Sequence, residues 1–208
     1  MEFKHWPNGW RTSQYKLMVN KVSLPADKKT RQSEYLSSGP IPIVDQGDKY
    51  IGGYTDDISR IVSCNLPVVV FGDHTKSVKY LPFNFAAGAD GIKVLQPQKD
   101  ISAKFLYYQT LYLSIKMVNK GYARHYQYLE KELFKYPPLP EQERIVAKIE
   151  ELFSELDNGV ETLQKTKAQL KVYRQSVLKD AFEGKLSNSE SLGNGFLSDF
   201  IERPRYGT

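Results

Sequence analysis

The sequence predicts an α+β protein in which a globular, mixed α/β domain is followed by one long coiled-coil helix. Short β-branched runs punctuated by glycine and proline recur through the first 140 residues and are typical of strands. A largely apolar stretch after residue 100 is typical of a helix packed on a core. Between residues 141 and 183 the apolar positions are spaced alternately by four and three, which is the seam of a coiled coil.

Four strands are predicted at short, β-branched runs of four or five residues. They are residues 41–44, 68–71, 78–81 and 91–95. Residues 45–57 read DQGDKYIGGYTDD, and this polar, glycine-rich composition indicates a hairpin or an exposed loop.

One core-packed helix is predicted between Asp100, a plausible N-cap, and about Met117. The sequence Asn119-Lys120-Gly121 is expected to end it. The apolar residues that we expect to line much of one side are Phe105, Leu106, Leu111, Leu113 and Ile115.

The long helix is expected to begin near Pro140, a residue that fits a first helical turn, and to stop at Gly184. At roughly 1.5 Å per residue it would be about 65 Å long, too long to bury its apolar stripe on its own domain. It therefore needs a partner of similar length. A helical hairpin turning at Asn158-Gly159 is the alternative, but the heptad phase continues across the glycine. The seam residues are Ile145, Ile149, Leu152, Leu156, Leu163, Leu170, Tyr173 and Val177.

The excess positive charge belongs to the first segment. The whole chain carries +5, whereas residues 1–140 hold 19 basic and 12 acidic residues and residues 141–183 hold 7 and 9. Lysine together with abundant tyrosine suits a surface that meets phosphates and bases, although a merely solvated surface would give the same count.

The sequence lacks the signature motifs of most enzyme classes. One cysteine, Cys64, allows neither an internal disulfide nor a cysteine-ligated zinc site, and the histidines His5, His74 and His125 form no ligand spacing. Nucleotide-binding glycine motifs are missing, as is the Asn-Pro-Pro-aromatic motif of base methylation. Asp73 next to His74 is better interpreted as a loop-capping aspartate and a surface histidine than as half of a catalytic pair. We therefore expect no catalysis, no metal and no cofactor.

No apolar run long enough for a membrane span and no signal-like start are present, so a reducing cytoplasm is the expected location.

Four polar segments of the first domain offer the side chains that DNA recognition favours. Residues 119–127, NKGYARHYQ, form the best candidate because several such groups crowd one glycine-hinged segment. We expect about half of the candidates to contact DNA and the others to be solvated or to support the fold. The candidates are Lys49, Tyr50, Tyr54, His74, Lys76, Lys79, Lys120, Tyr122, Arg124, His125 and Gln127.

Residues 136–146, YPPLPEQERIV, resemble the junction between target-recognition domain and spacer helix in the DNA-specificity subunits of Type I restriction–modification systems. The blocks GPIPIV at 39–44, VFGDHT at 70–75, ADGIK at 89–93 and RQSVLKDAFEGKL at 174–186 are similar to such subunits as well. The resemblance covers nearly the whole chain. Family members usually carry two recognition domains and two helices, whereas this sequence has one set.

The resemblance implies a non-catalytic protein that selects double-stranded DNA for methyltransferase subunits and, through them, for a restriction subunit. S-adenosylmethionine would bind the methyltransferase partner. Residues 1–138 would be the target-recognition domain, residues 139–185 the spacer and dimerisation helix, and residues 186–208 a linker and the start of an incomplete second repeat. In that last segment Asn194-Gly195-Phe196 echoes Asn8-Gly9-Trp10.

A chain with one domain and one helix is expected to form an antiparallel homodimer. This dimer restores two recognition domains at opposite ends and binds a bipartite target that is an inverted repeat. Two other classes stay open: a coiled-coil scaffold for an unrelated helical partner, and a stand-alone DNA-modifying enzyme.

Overall fold

The computed structural model describes residues 7–88, 91–118, 121, 123–186 and 195, and the chain divides into two compact units, Met1–Glu151 and Leu152–Thr208. The strands are β1 (Arg11–Gln14), β2 (Val19–Val22), β3 (Lys29–Thr30), β4 (Ile41–Val44), β5 (Gly53–Thr55), β6 (Val68–Gly72), β7 (Val78–Leu81), β8 (Ala86–Gly88), β9 (Ile92–Pro97) and β10 (Leu133–Tyr136). The helices are α1 (Ala103–Lys116), α2 (Tyr126–Leu129) and α3 (Leu139–Phe182), with short 3₁₀ turns at Tyr15–Leu17, Ala26–Lys28, Gln32–Glu34 and Ile58–Arg60.

The strands of the described part form three small sheets, in the orders β2-β9-β6-β7, β3-β8-β4-β5 and β1-β10. Strand β8 runs parallel to both β3 and β4, and the other pairings are antiparallel. The α+β prediction, with sheets followed by one long helix, is confirmed.

All four predicted strands are present. Strands β4 and β7 have the predicted bounds, β6 extends one residue further to Gly72, and β9 begins at Ile92 and runs to Pro97. The predicted hairpin is also confirmed, because β5 pairs antiparallel with β4 and sets Ile41 opposite Thr55.

Strand β6 separates two parts of the core. It is buried along its whole length and is paired with β7 on one side and β9 on the other. Val69 and Phe71 belong to the cluster that includes α1, whereas Val68 and Val70 belong to a second cluster behind the sheet. Burial of both faces explains why this strand reads as a continuous apolar run.

The predicted N-cap of α1 was wrong by two residues. Its N-cap is Ser102 and not Asp100, and the reason is a side chain from 40 residues further along the chain. The fully buried Gln142 accepts a hydrogen bond from the Ser102 backbone N–H at 2.9 Å through Oε1. Its Nε2 donates to the carbonyls of Asp100 and Pro137, each at 2.9 Å. The first turn of α3 is thus locked to the start of α1.

The inner face of α1 also differs from the prediction. Ile115 is exposed, whereas Thr110 and Ser114 are buried. The Thr110 hydroxyl lies 2.6 Å from the hydroxyl of the buried Tyr15 and donates to the Leu106 carbonyl. Paired in this way, these polar groups are accommodated inside without an unmet hydrogen bond.

Helix α3 is continuous over 44 residues, so the helical-hairpin alternative at Asn158-Gly159 is wrong. One glycine in a long helix costs only about 1 kcal/mol, which the surrounding helix formers offset. From Leu152 to Leu186 every residue is exposed except the half-buried Asp180.

Candidate nucleic-acid interface

Three stretches of the first unit lie together, and each overlaps one of the predicted polar segments: residues 45–50, 73–77 and 123–127. We call them the three-segment cluster. The first follows β4, the second is the turn between β6 and β7, and the third leads into α2. The chain separates them widely, but hydrogen bonds join each to its neighbour.

Gln46 joins the first segment to the second. Its carbonyl accepts hydrogen bonds from the hydroxyls of Thr75 at 2.5 Å and Ser77 at 2.9 Å. Its side-chain Oε1 accepts from the His74 backbone N–H at 3.2 Å. Gly91 leaves room for this amide: it has φ +86°, and a Cβ there would collide with the Gln46 side chain.

Asp73 joins the second segment to the third. Its buried carboxylate accepts from the Tyr126 backbone N–H at 2.9 Å through Oδ1 and faces Lys93 Nζ at 3.3 Å through Oδ2. Its carbonyl accepts from the His125 backbone N–H at 2.7 Å. The interpretation of Asp73 as a loop-capping aspartate is therefore confirmed. Burial, with smaller contributions from the carboxylates of Glu130 and Asp73, raises the pKa of Tyr126 to about 12.

Two of the candidate DNA contacts lie inside the domain, where they support its fold. His125 is fully buried, with Nδ1 3.0 Å from the Asp73 carbonyl. Lys79 is 4% exposed, and its Nζ donates to the carbonyls of Asp45 at 2.8 Å and Lys49 at 2.6 Å. Burial lowers the pKa of Lys79, an effect opposed by the Asp45 carboxylate 3.8 Å away. Both side chains hold the cluster together.

The remaining described candidates lie at or near the surface. Lys49, Arg124 and Gln127 are exposed. Lys76 is partly exposed, donates to the Met117 carbonyl at 3.1 Å and adopts a left-handed φ of 61°. His74 is half-buried, with Nδ1 3.3 Å from the Ala123 carbonyl.

Three candidates stand apart from these. Tyr54 is half-buried within β5, opposite Pro42 of β4. Lys120 and Tyr122 lie outside the described residues.

A tyrosine group lies next to the cluster, and the sequence pattern did not point to its members Tyr107 and Tyr108 on α1. Tyr50 donates a hydrogen bond to the Tyr80 carbonyl, and the rings of Tyr80 and Tyr107 lie 6.2 Å apart. Tyr107 and Tyr108 follow at 4.9 Å between centroids. Burial raises the pKa of Tyr107. These residues line a cavity of about 190 Å³, together with the Lys104–Glu150 ion pair at 2.8 Å. The Tyr-Tyr pair three residues after a lysine on α1 is the signal that could have found it.

The predicted seam residues of α3 differ in exposure before and after the boundary between the two units. Ile145 packs against the core of the first unit and Ile149 is half-buried. The other six predicted partner-binding residues are exposed, and they are Leu152, Leu156, Leu163, Leu170, Tyr173 and Val177.

Within the described residues, no group of three or more His, Cys, Asp or Glu side chains is placed to hold a metal ion. None of the helices in that part of the chain combines the length and hydrophobicity needed to cross a lipid bilayer.

A mixed α/β domain continued by a helix of this length places the molecule in a recognised class of fold, that of the HsdS subunits. The HsdS subunit from Thermoanaerobacter tengcongensis matches with a TM-score of 0.61 at 21% identity, covering 88% of this chain and 47% of that one. A chain from a structural study of complex assembly and conformational transition of the type I R-M system matches with a TM-score of 0.62 at 22% identity, covering 88% of this chain and 48% of that one.

The sequence comparisons define the family. Residues 7–172 match the family model of the Type I restriction modification DNA specificity domain, and the chain therefore belongs to that family. The chain is also 25% identical over 174 residues to the Type I restriction enzyme EcoR124I/EcoR124II specificity subunit of Escherichia coli, covering 77% of this chain and 42% of that protein. The chain thus spans about half the length of these relatives.

Proposed function

We propose that this chain is the sequence-specificity component of a Type I restriction–modification complex. It binds double-stranded DNA, performs no chemistry itself, and directs methyltransferase subunits and, through them, a restriction subunit. The observation that carries the proposal is the family match over residues 7–172, which takes in the α/β domain and most of α3. S-adenosylmethionine binds the methyltransferase partner and not this chain.

DNA contacts the domain at the three-segment cluster. Lys49, Arg124 and Gln127 are exposed there, and lysine, arginine and glutamine are the side chains that meet phosphates and base edges. Lys76 and His74 flank them on the middle segment. Buried Lys79 and His125 support this surface from below, because their polar atoms are bonded to the carbonyls of the segments themselves.

The exposed seam of α3 pairs with the same helix of a second copy. Apolar side chains on one stripe of a long helix, from Leu152 to Val177, are the pattern that a coiled-coil partner covers. The helix also has unequal halves. Residues 139–161 carry seven acidic and two basic side chains, whereas residues 162–182 carry five basic and one acidic. An antiparallel pair sets each acidic half against a basic half, whereas a parallel pair sets like against like.

An antiparallel homodimer carries one recognition domain at each end and a two-fold axis between the helices. Two identical recognition domains related by that axis bind the same half-site sequence twice. The target is therefore bipartite and an inverted repeat, with a spacer set by the helix pair.

Mapping methylated bases in a host that carries this chain with its cognate methyltransferase tests the proposal. The expected result is methylation at one inverted repeat with a fixed spacer. A matched host lacking this chain supplies the control, and methylation there at the same sites contradicts the proposal. A non-palindromic target contradicts the homodimer and leaves the specificity function in place.

Two purified-protein assays separate the other classes. The chain alone is expected to transfer no methyl group and to cleave no DNA, and activity without partners would contradict the proposal. Retention on DNA in moderate salt is expected of a specificity subunit, whereas a scaffold that pairs with an unrelated helical protein would elute.

A further inference from the structure

The tyrosine-lined cavity beside the three-segment cluster has no part in the proposed function. Its volume is about 190 Å³. Its walls come from the end of the first segment, from β7, from α1 and from the first part of α3. The lining residues with ring or charged side chains that face a ligand are Tyr50, Tyr80, Lys104, Tyr107, Tyr108 and Glu150.

The cavity and the first segment of the cluster form one hydrogen-bonded unit. Lys79 of β7 also lines the cavity, and its Nζ donates to the carbonyls of Asp45 and Lys49. Tyr50 follows Lys49 in the chain and donates its hydroxyl hydrogen to the carbonyl of Tyr80. DNA whose phosphate meets the exposed Lys49 therefore passes beside the cavity.

The tyrosine rings offer flat apolar surface to a ligand. The ring centroids of Tyr80 and Tyr107 lie 6.2 Å apart, and those of Tyr107 and Tyr108 lie 4.9 Å apart. Tyr50 is 47% exposed and the other three are half-buried, so all four remain accessible. Aromatic side chains at nucleic-acid interfaces stack on bases that have left their neighbours. The volume is below the roughly 300 Å³ at which pockets for drug-sized ligands begin, and it suits one planar ring system.

The ion pair at the cavity adds a hydrogen-bond donor and an acceptor side by side. Lys104 Nζ lies 2.8 Å and 3.0 Å from the two carboxylate oxygens of Glu150. The two side chains are 44% and 41% exposed. A carboxylate repels phosphates but accepts a hydrogen bond from the amino group of a base. An ammonium donates to an unprotonated ring nitrogen. Adenine and cytosine carry these two groups next to each other, whereas guanine and thymine have a protonated ring nitrogen on that edge.

We propose that the cavity binds one adenine or cytosine that has left the base stack of DNA held at the three-segment cluster. The tyrosines stack on the base, Glu150 accepts from its amino group, and Lys104 donates to the adjacent ring nitrogen. The inference rests on the proposed function and deepens it, because it adds a contact with an unstacked base to those at the surface of the cluster. Unpairing a base costs free energy, and it costs least where the base has no partner.

Duplexes with the target found by methylation mapping test the cavity on the full-length chain. Each duplex carries one abasic site opposite a single adenine or cytosine, so that one base at a time has no partner. At one position the affinity, measured by fluorescence anisotropy, is expected to be about tenfold above that of the intact duplex of the same sequence. Placing thymine opposite the abasic site at that position is the control and is expected to give no gain.

Dimethyl sulfate supplies a second readout, because it methylates N1 of an unpaired adenine and N3 of an unpaired cytosine. At the position that gains affinity, this nitrogen is expected to react in free DNA and to be protected in the complex. At the other positions it is expected to react in both.

The carboxylate is tested with Glu150→Ala. This variant is expected to weaken binding to the abasic duplex about tenfold and to abolish the protection from dimethyl sulfate. The free energy of unfolding by urea should stay the same, because exposed ion pairs contribute little to stability. Glu132→Ala removes an exposed carboxylate of the first unit that does not line the cavity, and this matched control should bind as the wild type does.

The stacking contact is tested at Tyr50, the most exposed of the four rings. Tyr50→Leu keeps an apolar side chain but removes the ring, and it is expected to weaken binding to the abasic duplex about tenfold. Tyr50→Phe keeps the ring and is expected to restore binding.

The outcomes separate the inference from the proposed function. Specific binding to the intact target, with no gain and no protection at any abasic position, overturns the cavity and leaves the specificity function standing. A gain that is equal for thymine and is kept in Glu150→Ala overturns the role of the ion pair. Weakening that only follows a loss of unfolding free energy makes the cavity part of the fold and overturns the inference. Failure to bind any duplex overturns both.

Discussion

The two units differ in the burial of their side chains. In the first unit even charged groups such as Asp73 and Lys79 are buried and bonded, and the apolar residues of β6 lie inside. In the second unit the apolar residues face outward, and Leu163 is 70% exposed. Among the described residues, the domain covers its own apolar side chains, whereas the helix leaves an apolar stripe exposed, as expected of a helix that pairs with a partner.

A charge in the helix seam should have the largest effect. Leu163→Asp places a carboxylate near the centre of the proposed helix pair, where its burial is expected to weaken dimerisation by about 3 kcal/mol or more. Sedimentation should report a monomer, and methylation in the host should stop. Val172→Asp, on the same helix but outside the seam, is the control. A dimer that tolerates Leu163→Asp would mean that the seam is not the interface.

Loss of the Asp73 carboxylate should destabilise the first unit. Asp73→Ala leaves the Tyr126 backbone N–H and the Lys93 ammonium without this acceptor, and we expect a loss of about 2–3 kcal/mol in the free energy of unfolding by urea. Asp48→Ala removes an exposed carboxylate from the first segment and should change it by less than about 0.5 kcal/mol. Equal stability of the two variants would refute the joining role of Asp73.

Arg124→Ala should weaken binding to the methylated target by about 1–3 kcal/mol if the guanidinium meets a base edge, without a change in unfolding free energy. Affinities for the target duplex and for a shuffled duplex measure it, and Arg31→Ala, exposed outside the cluster, is the control. Equal weakening on both duplexes would make Arg124 a phosphate contact. No weakening on either would remove it from the interface.

The smallest effect is expected at Lys49. Affinity should fall linearly on a log–log plot against salt, with a slope of about −0.9 for each phosphate neutralised. Lys49→Gln should therefore make the slope shallower by about 0.9. Lys99→Gln removes an exposed lysine that follows β9 and should leave the slope unchanged. A slope identical in all three proteins would show that Lys49 meets no phosphate.

The sequence predicted those strands and helices whose residue types repeat in a local pattern. Strands β4, β6, β7 and β9 were found because β-branched residues fill them, and α3 because its heptads persist over many turns. Strand β1, with the sequence RTSQ, was missed because it is polar and pairs with β10, more than a hundred residues away. No local pattern records such a partner.

The burial of two candidate site residues, Lys79 and His125, could not be predicted from composition. Composition identified Lys79 and His125 as groups that suit DNA, but it carries no information on which side of an element each faces. In β7, Lys79 shares the buried side with Leu81, and Val78 and Tyr80 lie on the other side. The cap that moved the start of α1 comes from Gln142 and had no local signal.

The hydrogen bonds between the three segments end largely on main-chain carbonyls, those of Gln46, Asp73 and Ala123. A carbonyl belongs to every residue type, so much of this framework does not depend on which side chains occupy the exposed positions between its bonds. Lys49, Arg124 and Gln127 are thus open to replacement while the loops keep their course. Under the proposed function, exchange of these surface side chains would change the DNA sequence that is bound without changing the fold.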